Sequence, residues 1–87
     1  MKIKNCFILR DMGEFSVVVA TGEMLDKFNC MITLNSSAVI LWKMLEKGAE
    51  KQDLLNMMLK EYNVDKDTAS EHIDQFIEKL TKADILE

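Results

Sequence analysis

The spacing of apolar residues changes at Asn35, and this change constrains the fold more than any other feature of the sequence. Before Asn35, β-branched and aromatic residues form three short runs, at residues 7–9, 15–19 and 31–34. Runs of this kind are typical of β-strands. After Asn35, apolar residues recur every three or four positions, as they do on one face of an α-helix. The sequence therefore predicts an α+β fold in which the strands come first and the helices second.

Two connections predict how the strands pair. Residues 11–14, with the sequence Asp-Met-Gly-Glu, favour a tight hairpin between the first two strands. A longer loop, at residues 21–29, leads to the third strand. Consecutive strands joined in this way form an antiparallel meander, so we expect a three-stranded antiparallel sheet.

The first helix is predicted by an apolar stripe with helical spacing, followed by a glycine. The stripe consists of Ala38, Leu41, Trp42 and Leu45. Asn35 or Ser36 is a suitable N-cap, and Gly48 lies where a helix ends in a backbone conformation that favours glycine. We expect Trp42 to be a core anchor rather than a ligand platform, because it lies in the middle of the stripe.

Two further helices are predicted at about residues 50–62 and 66–82. The start of the second is weakly defined, because neither Glu50 nor Lys51 is a good N-cap. Candidate N-caps of the third helix are Asp65, Asp67 and Thr68, and residues 68–71 also match a capping box. We expect the apolar tail, Ile85-Leu86, to dock onto the core. Three strands followed by three helices predict a small winged helix-turn-helix-like domain.

Composition restricts the class of protein. With 87 residues, of which 48% are hydrophobic and 30% charged, we expect one globular domain spanning residues 1–87. The apolar stretch near the N-terminus is too short for a signal peptide or a membrane span, so a cytoplasmic location is expected. We expect both cysteines, Cys6 and Cys30, to be reduced thiols.

The inventory of reactive residues argues against catalysis. The sequence has one histidine, His72, and neither a glycine-rich phosphate loop nor a cluster of residues at metal-ligand spacing. We therefore expect no enzyme activity, no cofactor and no metal. His72 is predicted to lie partly exposed on the surface of the third helix.

Charge argues against a nucleic-acid partner, which is the main rival interpretation for a winged-helix fold. The chain has a net charge of −4. The third helix, which would be the recognition helix, is also acidic, whereas contacts to phosphate and bases require donors. Its acidic residues are Asp65, Asp67, Glu71, Asp74 and Glu78, and its basic residues are Lys66, Lys79 and Lys82.

The third strand has an unusual edge. A three-stranded sheet has two edges, whose unpaired N–H and C=O groups accept a further strand unless charge or proline prevents it. Residues 30–34 carry no charge, and the chain has no proline. The sequence therefore predicts either an element that covers this edge or a strand that binds there. An open edge and a long loop also permit strand exchange between two copies.

The ordered positions of many residues resemble the PqqD family over nearly the whole chain. No single motif is specific, but the set is. The matching residues are 7–10, 17–19, Leu34-Asn35, Trp42, Gly48, Leu54-Leu55, Leu59, Tyr62, Val64-Asp65, Ala69, Phe76, Leu80 and 85–87. The chain departs from the family pattern at Ala38, where glycine is frequent, and at Glu50-Lys51, where a capping Ser or Thr is usual. These departures concern local helix geometry.

The resemblance implies a non-catalytic chaperone that captures the leader of a ribosomally made precursor peptide. The leader is expected to add as a strand beside the third strand and to rest against the third helix. The resemblance also implies a partner enzyme, a radical S-adenosylmethionine enzyme or another maturase, that holds any cofactor. The expected peptide-binding residues are Cys30, Met31, Ile32, Thr33, Leu34, Ala69, His72, Ile73, Phe76 and Lys79. The alternatives are a winged-helix DNA-binding regulator and a structural protein adaptor.

Overall fold

A computed structural model describes residues 1–22 and 32–87. The strands are β1 (Phe7–Asp11), β2 (Ser16–Ala20) and β3 (Ile32–Leu34), and the helices are α1 (Ser36–Lys47), α2 (Lys51–Glu61) and α3 (Lys66–Lys82). The predicted α+β order of strands and then helices is confirmed. Cys30, Met31 and most of the predicted loop at residues 21–29 lie outside the described residues.

The sheet is antiparallel, with β2 between β1 and β3. Val18 at the centre of β2 is opposite Leu9 on one side and Ile32 on the other. Because side chains alternate along a strand, these three residues share one face of the sheet, and that face packs against the helices. In the described part of the chain, β1 and β3 are the two edges of this sheet.

The predicted hairpin joins β1 to β2. The Met12 N–H donates to the Phe15 carbonyl at 2.8 Å, and the Gly13 N–H donates to Asp11 Oδ1 at 2.9 Å. Gly13 has a φ of +102°, a conformation that side-chain-bearing residues rarely adopt. These two hydrogen bonds and the backbone angle of Gly13 explain why residues 11–14 form the tight turn that the sequence predicts.

The ends of α1 are those the sequence predicts. Asn35 is the N-cap, and its Oδ1 accepts a hydrogen bond from the Ala38 N–H at 3.0 Å. At the other end, Gly48 has a φ of +95° and donates its N–H to the Leu45 carbonyl at 3.2 Å. Ala38 is thus accommodated in the first turn of a regularly capped helix.

The starts of α2 and α3 lie where the sequence predicts them, at about residue 50 and at Lys66. Glu50 is the N-cap of α2, and its backbone N–H donates to Asp53 Oδ2 at 2.9 Å. This bond from inside the helix compensates for the poor capping type of Glu50. Of the candidate N-caps of α3, Asp65 is the one used, and the capping box at residues 68–71 is not, because Thr68 already lies inside the helix.

Asp65 is the N-cap of α3. Its Oδ1 accepts a hydrogen bond from the Thr68 N–H at 2.8 Å. Hydrogen bonds from the side chain and then the backbone of Thr68 lower the pKa of the Asp65 carboxyl below its usual value. A carboxylate at this position also interacts favourably with the N-terminal end of the helix dipole.

All three helices contribute to one core. Each helix places fully buried side chains in it: Trp42 and Leu45 from α1, Leu54 from α2, and Ile73 and Leu80 from α3. Trp42 is therefore a core anchor, as the sequence predicts. Helical spacing accounts for these positions, since each lies on the apolar stripe of its own helix.

The tail docks onto this core, as predicted. Ile85 is fully buried, and Leu86 forms an antiparallel bridge with Ile3. The Lys4 N–H also donates to the Ile85 carbonyl at 2.9 Å. These backbone bonds hold the two ends of the described chain together.

Candidate peptide-binding groove

Hydrogen bonds at the two ends of the β1–β2 hairpin determine which way each β2 residue points its backbone groups. The Thr21 N–H donates to the Cys6 carbonyl at 2.7 Å, and the Met12 N–H donates to the Phe15 carbonyl at 2.8 Å. In an antiparallel pair, hydrogen-bonded and non-hydrogen-bonded positions alternate. Between these bonds, Val17 and Val19 therefore direct their N–H and C=O groups toward β1.

The same alternation determines the direction of the β3 groups. Ser16 and Val18, which alternate with Val17, direct their N–H and C=O groups toward β3, where Leu34 and Ile32 are opposite them. Thr33 is opposite Val17, in a non-hydrogen-bonded pair. The N–H and C=O of Thr33 consequently point away from the sheet, toward the free side of β3.

A groove of about 720 Å³ lies between this free side and α3. The strand contributes Ile32 and Thr33, and Ala83, the residue that follows α3, also lines the groove. The wall formed by α3 consists of Gln75, Glu78, Lys79 and Lys82. An extended backbone placed in the groove would therefore have Thr33 on one side and a polar helix face on the other.

A second hollow, of about 280 Å³, continues along α3 toward the start of α1. Gln75 and Lys79 line both hollows, so the two are adjacent. Leu41, Met58 and Phe76 form an apolar floor here. The remaining lining residues are Asn35, Ser37, Ala38 and His72. The second hollow thus combines an apolar floor with a polar rim.

The structure brings part of the predicted site together. Ile32, Thr33 and Lys79 line the groove, and His72, Phe76 and Lys79 line the second hollow. His72 is exposed on the helix surface, as the sequence predicts. Cys30 and Met31 lie outside the described residues.

Three predicted residues lie in the core instead. Ala69 and Ile73 are fully buried, and Leu34 is 2% exposed. On α3, residues spaced like these face the sheet and the other helices, whereas the next positions round the helix face the groove. Ala69, Ile73 and Leu34 line neither hollow, and a binding role for them stays a prediction.

The sequence-based site lacks Gln75, Glu78, Lys82 and Ala83. The first three lie on one face of α3 together with Lys79, at the three- and four-residue spacing that makes helix positions neighbours. Once Lys79 is placed in the groove, this spacing relates the other three to it, but the sequence alone does not show which face of α3 lies beside β3.

Charges on the α3 wall are partly paired. The Lys82 Nζ lies 3.0 Å from Glu78 Oε1. Lys79 makes no ion pair with any residue that the structure describes. Within residues 1–22 and 32–87, no group of three potential metal ligands is present. None of the helices in these ranges is both long and apolar enough to cross a bilayer.

The fold and groove define a small α+β domain of the winged-helix type, with a strand edge exposed beside its last helix. Residues 17–86 match the family model described as coenzyme PQQ synthesis protein D (PqqD), and the chain belongs to this family. The resemblance seen in the sequence is therefore confirmed. No curated protein matches the chain.

The fold is also similar to a solved structure, that of TbiB1 in complex with the TbiA(beta) leader peptide. The TM-score is 0.80, and the two sequences are 22% identical over 100% of this chain and 95% of TbiB1. This similarity confirms the predicted fold class, because it covers the arrangement of the elements in space as well as their order. Family membership does not favour the DNA-binding alternative.

Proposed function

We propose that this chain binds the leader segment of a ribosomally made precursor peptide and presents it to a modifying enzyme, without catalysing the modification. The observation that carries the proposal is the backbone of Thr33, whose N–H and C=O point into a groove beside an uncharged strand. The similar TbiB1 domain binds a leader peptide, which supports the same class of ligand for this chain.

Strand addition explains how one groove accepts the backbone and the side chains of a leader. The peptide backbone pairs with Thr33, and alternate peptide side chains point toward α3. Side chains on one face of a strand repeat every ~6.8 Å. Successive groove positions on α3, such as Gln75 and Lys79, are separated by a helix rise of ~6 Å. The spacing of the helix wall therefore suits successive side chains of an extended peptide.

Energetics make such binding adequate for a chaperone. Each strand hydrogen bond contributes ~1 kcal/mol net, and each buried leader side chain contributes ~2 kcal/mol. Four or five bonds, of which the Thr33 N–H and C=O provide two in the described part of β3, together with two side chains exceed an association cost of several kcal/mol. We expect dissociation constants of about micromolar or lower.

The partner enzyme is proposed to supply the chemistry. In this family the partner is a radical S-adenosylmethionine enzyme or another maturase, and any cofactor belongs to that enzyme. We place both proteins in the cytoplasm, where a precursor peptide is made. The absence of a catalytic constellation in the sequence supports a role in presentation rather than in catalysis.

The test is calorimetry with the precursor peptide encoded beside this gene. Its leader segment and its core segment are titrated separately into the purified chain, together with a scrambled leader of the same composition. We expect the leader alone to bind. The proposal fails if the leader does not bind, or if the scrambled leader binds equally well, since charge and composition would then suffice.

A further inference from the structure

Lys79 lies where the groove and the second hollow meet, and it lines both. Its neighbours on the same wall, Glu78 and Lys82, are paired with each other at 3.0 Å. Lys79 has no carboxylate partner in the part of the chain that the structure describes. Within residues 1–22 and 32–87, the junction of the two hollows therefore presents an ammonium group whose charge no carboxylate balances.

The charge of this wall contrasts with the charge of the chain. The groove is lined by two lysines and one glutamate, whereas the whole chain has a net charge of −4. An acidic protein repels an acidic peptide at long range. A local positive site therefore attracts such a peptide only when the acidic side chain of the peptide lies beside that site, and this fixes the alignment of the peptide in the groove. A basic peptide is attracted to the whole surface and gains little from Lys79.

Resting on the proposed function, we propose that Lys79 sets leader specificity by pairing with an Asp or Glu of the leader. A leader side chain two residues away from that acid points in the same direction. This second side chain reaches the apolar floor of Leu41, Met58 and Phe76. The leader therefore carries an acidic residue and an apolar residue separated by one position.

A purely structural role for Lys79 predicts something different. Lys79 lies in the last turn of α3, where a cation interacts favourably with the helix dipole. In that case, replacing Lys79 would change stability but not the preferred peptide. The test therefore measures which sequences bind as well as how tightly they bind.

The probe is a displayed library of random twelve-residue peptides, selected against four forms of the chain. These are the wild type, Lys79→Glu, Lys66→Glu and Thr33→Pro. Lys66→Glu is the matched control, because Lys66 is exposed on the same helix and makes no ion pair with a described residue. It lies thirteen positions from Lys79, or ~20 Å along the helix, which exceeds the Debye length of ~8 Å in physiological salt.

We expect the wild type and Lys66→Glu to enrich the same acidic-and-apolar pattern. Lys79→Glu should enrich Lys or Arg at the acidic position. With an individual selected peptide, exchanging its acid for lysine should weaken binding to the wild type about tenfold, and Lys79→Glu should recover that loss.

Two other outcomes overturn the inference in distinguishable ways. In the first, the wild type enriches peptides that Thr33→Pro does not enrich, but Lys79→Glu prefers the same peptide charge as the wild type. The role of Lys79 is then wrong, and the proposed function stands. If the wild type enriches nothing that Thr33→Pro fails to enrich, strand addition at β3 is wrong, and with it the role of Lys79. If calorimetry also detects no leader binding to the wild type, the proposed function is itself wrong.

Discussion

Proline at two adjacent positions of β3 should have opposite effects. Ile32 directs its N–H toward Val18 of β2, whereas Thr33 directs its N–H away from the sheet. Proline has no N–H, so at Ile32 it removes a bond within the fold, and at Thr33 it removes a bond available only to a ligand. Edge strands tolerate proline where the missing N–H faces outward.

The magnitude follows from comparing proline with alanine at each position. Ile32 is 6% exposed, so Ile32→Ala should cost ~2–5 kcal/mol through loss of its side chain. Ile32→Pro should cost a further ~1–3 kcal/mol, because the Val18 carbonyl loses its donor inside the sheet. Thr33 is exposed, so Thr33→Pro and Thr33→Ala should differ in stability by less than ~1 kcal/mol.

Urea unfolding measures the stabilities, and calorimetry with the leader peptide measures binding. We expect Thr33→Pro to unfold close to the wild-type midpoint and to lose leader binding, whereas Thr33→Ala keeps it. Equal proline-minus-alanine differences at both positions would refute the assigned backbone directions. A Thr33→Pro variant that binds the leader like the wild type would refute strand addition at this edge.

Three further predictions concern α3. Phe76 is 8% exposed and belongs to the core as well as to the second hollow, so Phe76→Ala should cost ~3–5 kcal/mol in urea unfolding; a near-neutral effect would contradict its core role. Thr68 lowers the pKa of Asp65, so the stabilisation by Asp65 is present above the unfolded pKa of ~3.9 and is lost as the pH falls through the lower folded pKa. Thermal unfolding of Asp65→Ala should therefore show a larger deficit at pH 7 than at pH 2, and an equal deficit at both would show that the carboxylate charge is not involved. Because α3 exposes more carboxylates than lysines, gel retardation at physiological salt should detect no sequence-specific binding of duplex DNA; retardation at submicromolar protein would overturn this prediction.

The sequence was sufficient for the order and type of the elements, because the apolar spacing changes from two to about 3.6 at Asn35. It also identified the third strand as an edge of the sheet, because the sequence has only three strand-like runs and the third comes last. Residues 30–34 carry no charge, which is unusual for such an edge. The direction of the Thr33 backbone was not predictable. It depends on the register between β2 and β3, in which Val18 is opposite Ile32. No residue type in the two strands indicates this register in the sequence.

The helix side of the site was predicted less well, for a physical reason. Apolar residues on α3 were predicted to contact the ligand, but Ala69 and Ile73 are fully buried in the core. The groove wall is instead formed by polar residues such as Gln75 and Lys82, which in a sequence resemble any solvated helix face. Only the position of α3 beside β3 distinguishes them from other exposed polar residues.

The most direct test of the account is hydrogen exchange at the Thr33 amide, measured by NMR with and without saturating leader peptide. In the free chain this N–H points away from β2, and we expect rapid exchange. In the complex it should donate to the peptide and exchange at least tenfold more slowly, while the Ile32 amide, bonded to β2 in both states, changes little. An unchanged Thr33 exchange rate in the saturated complex would contradict leader binding by strand addition at β3.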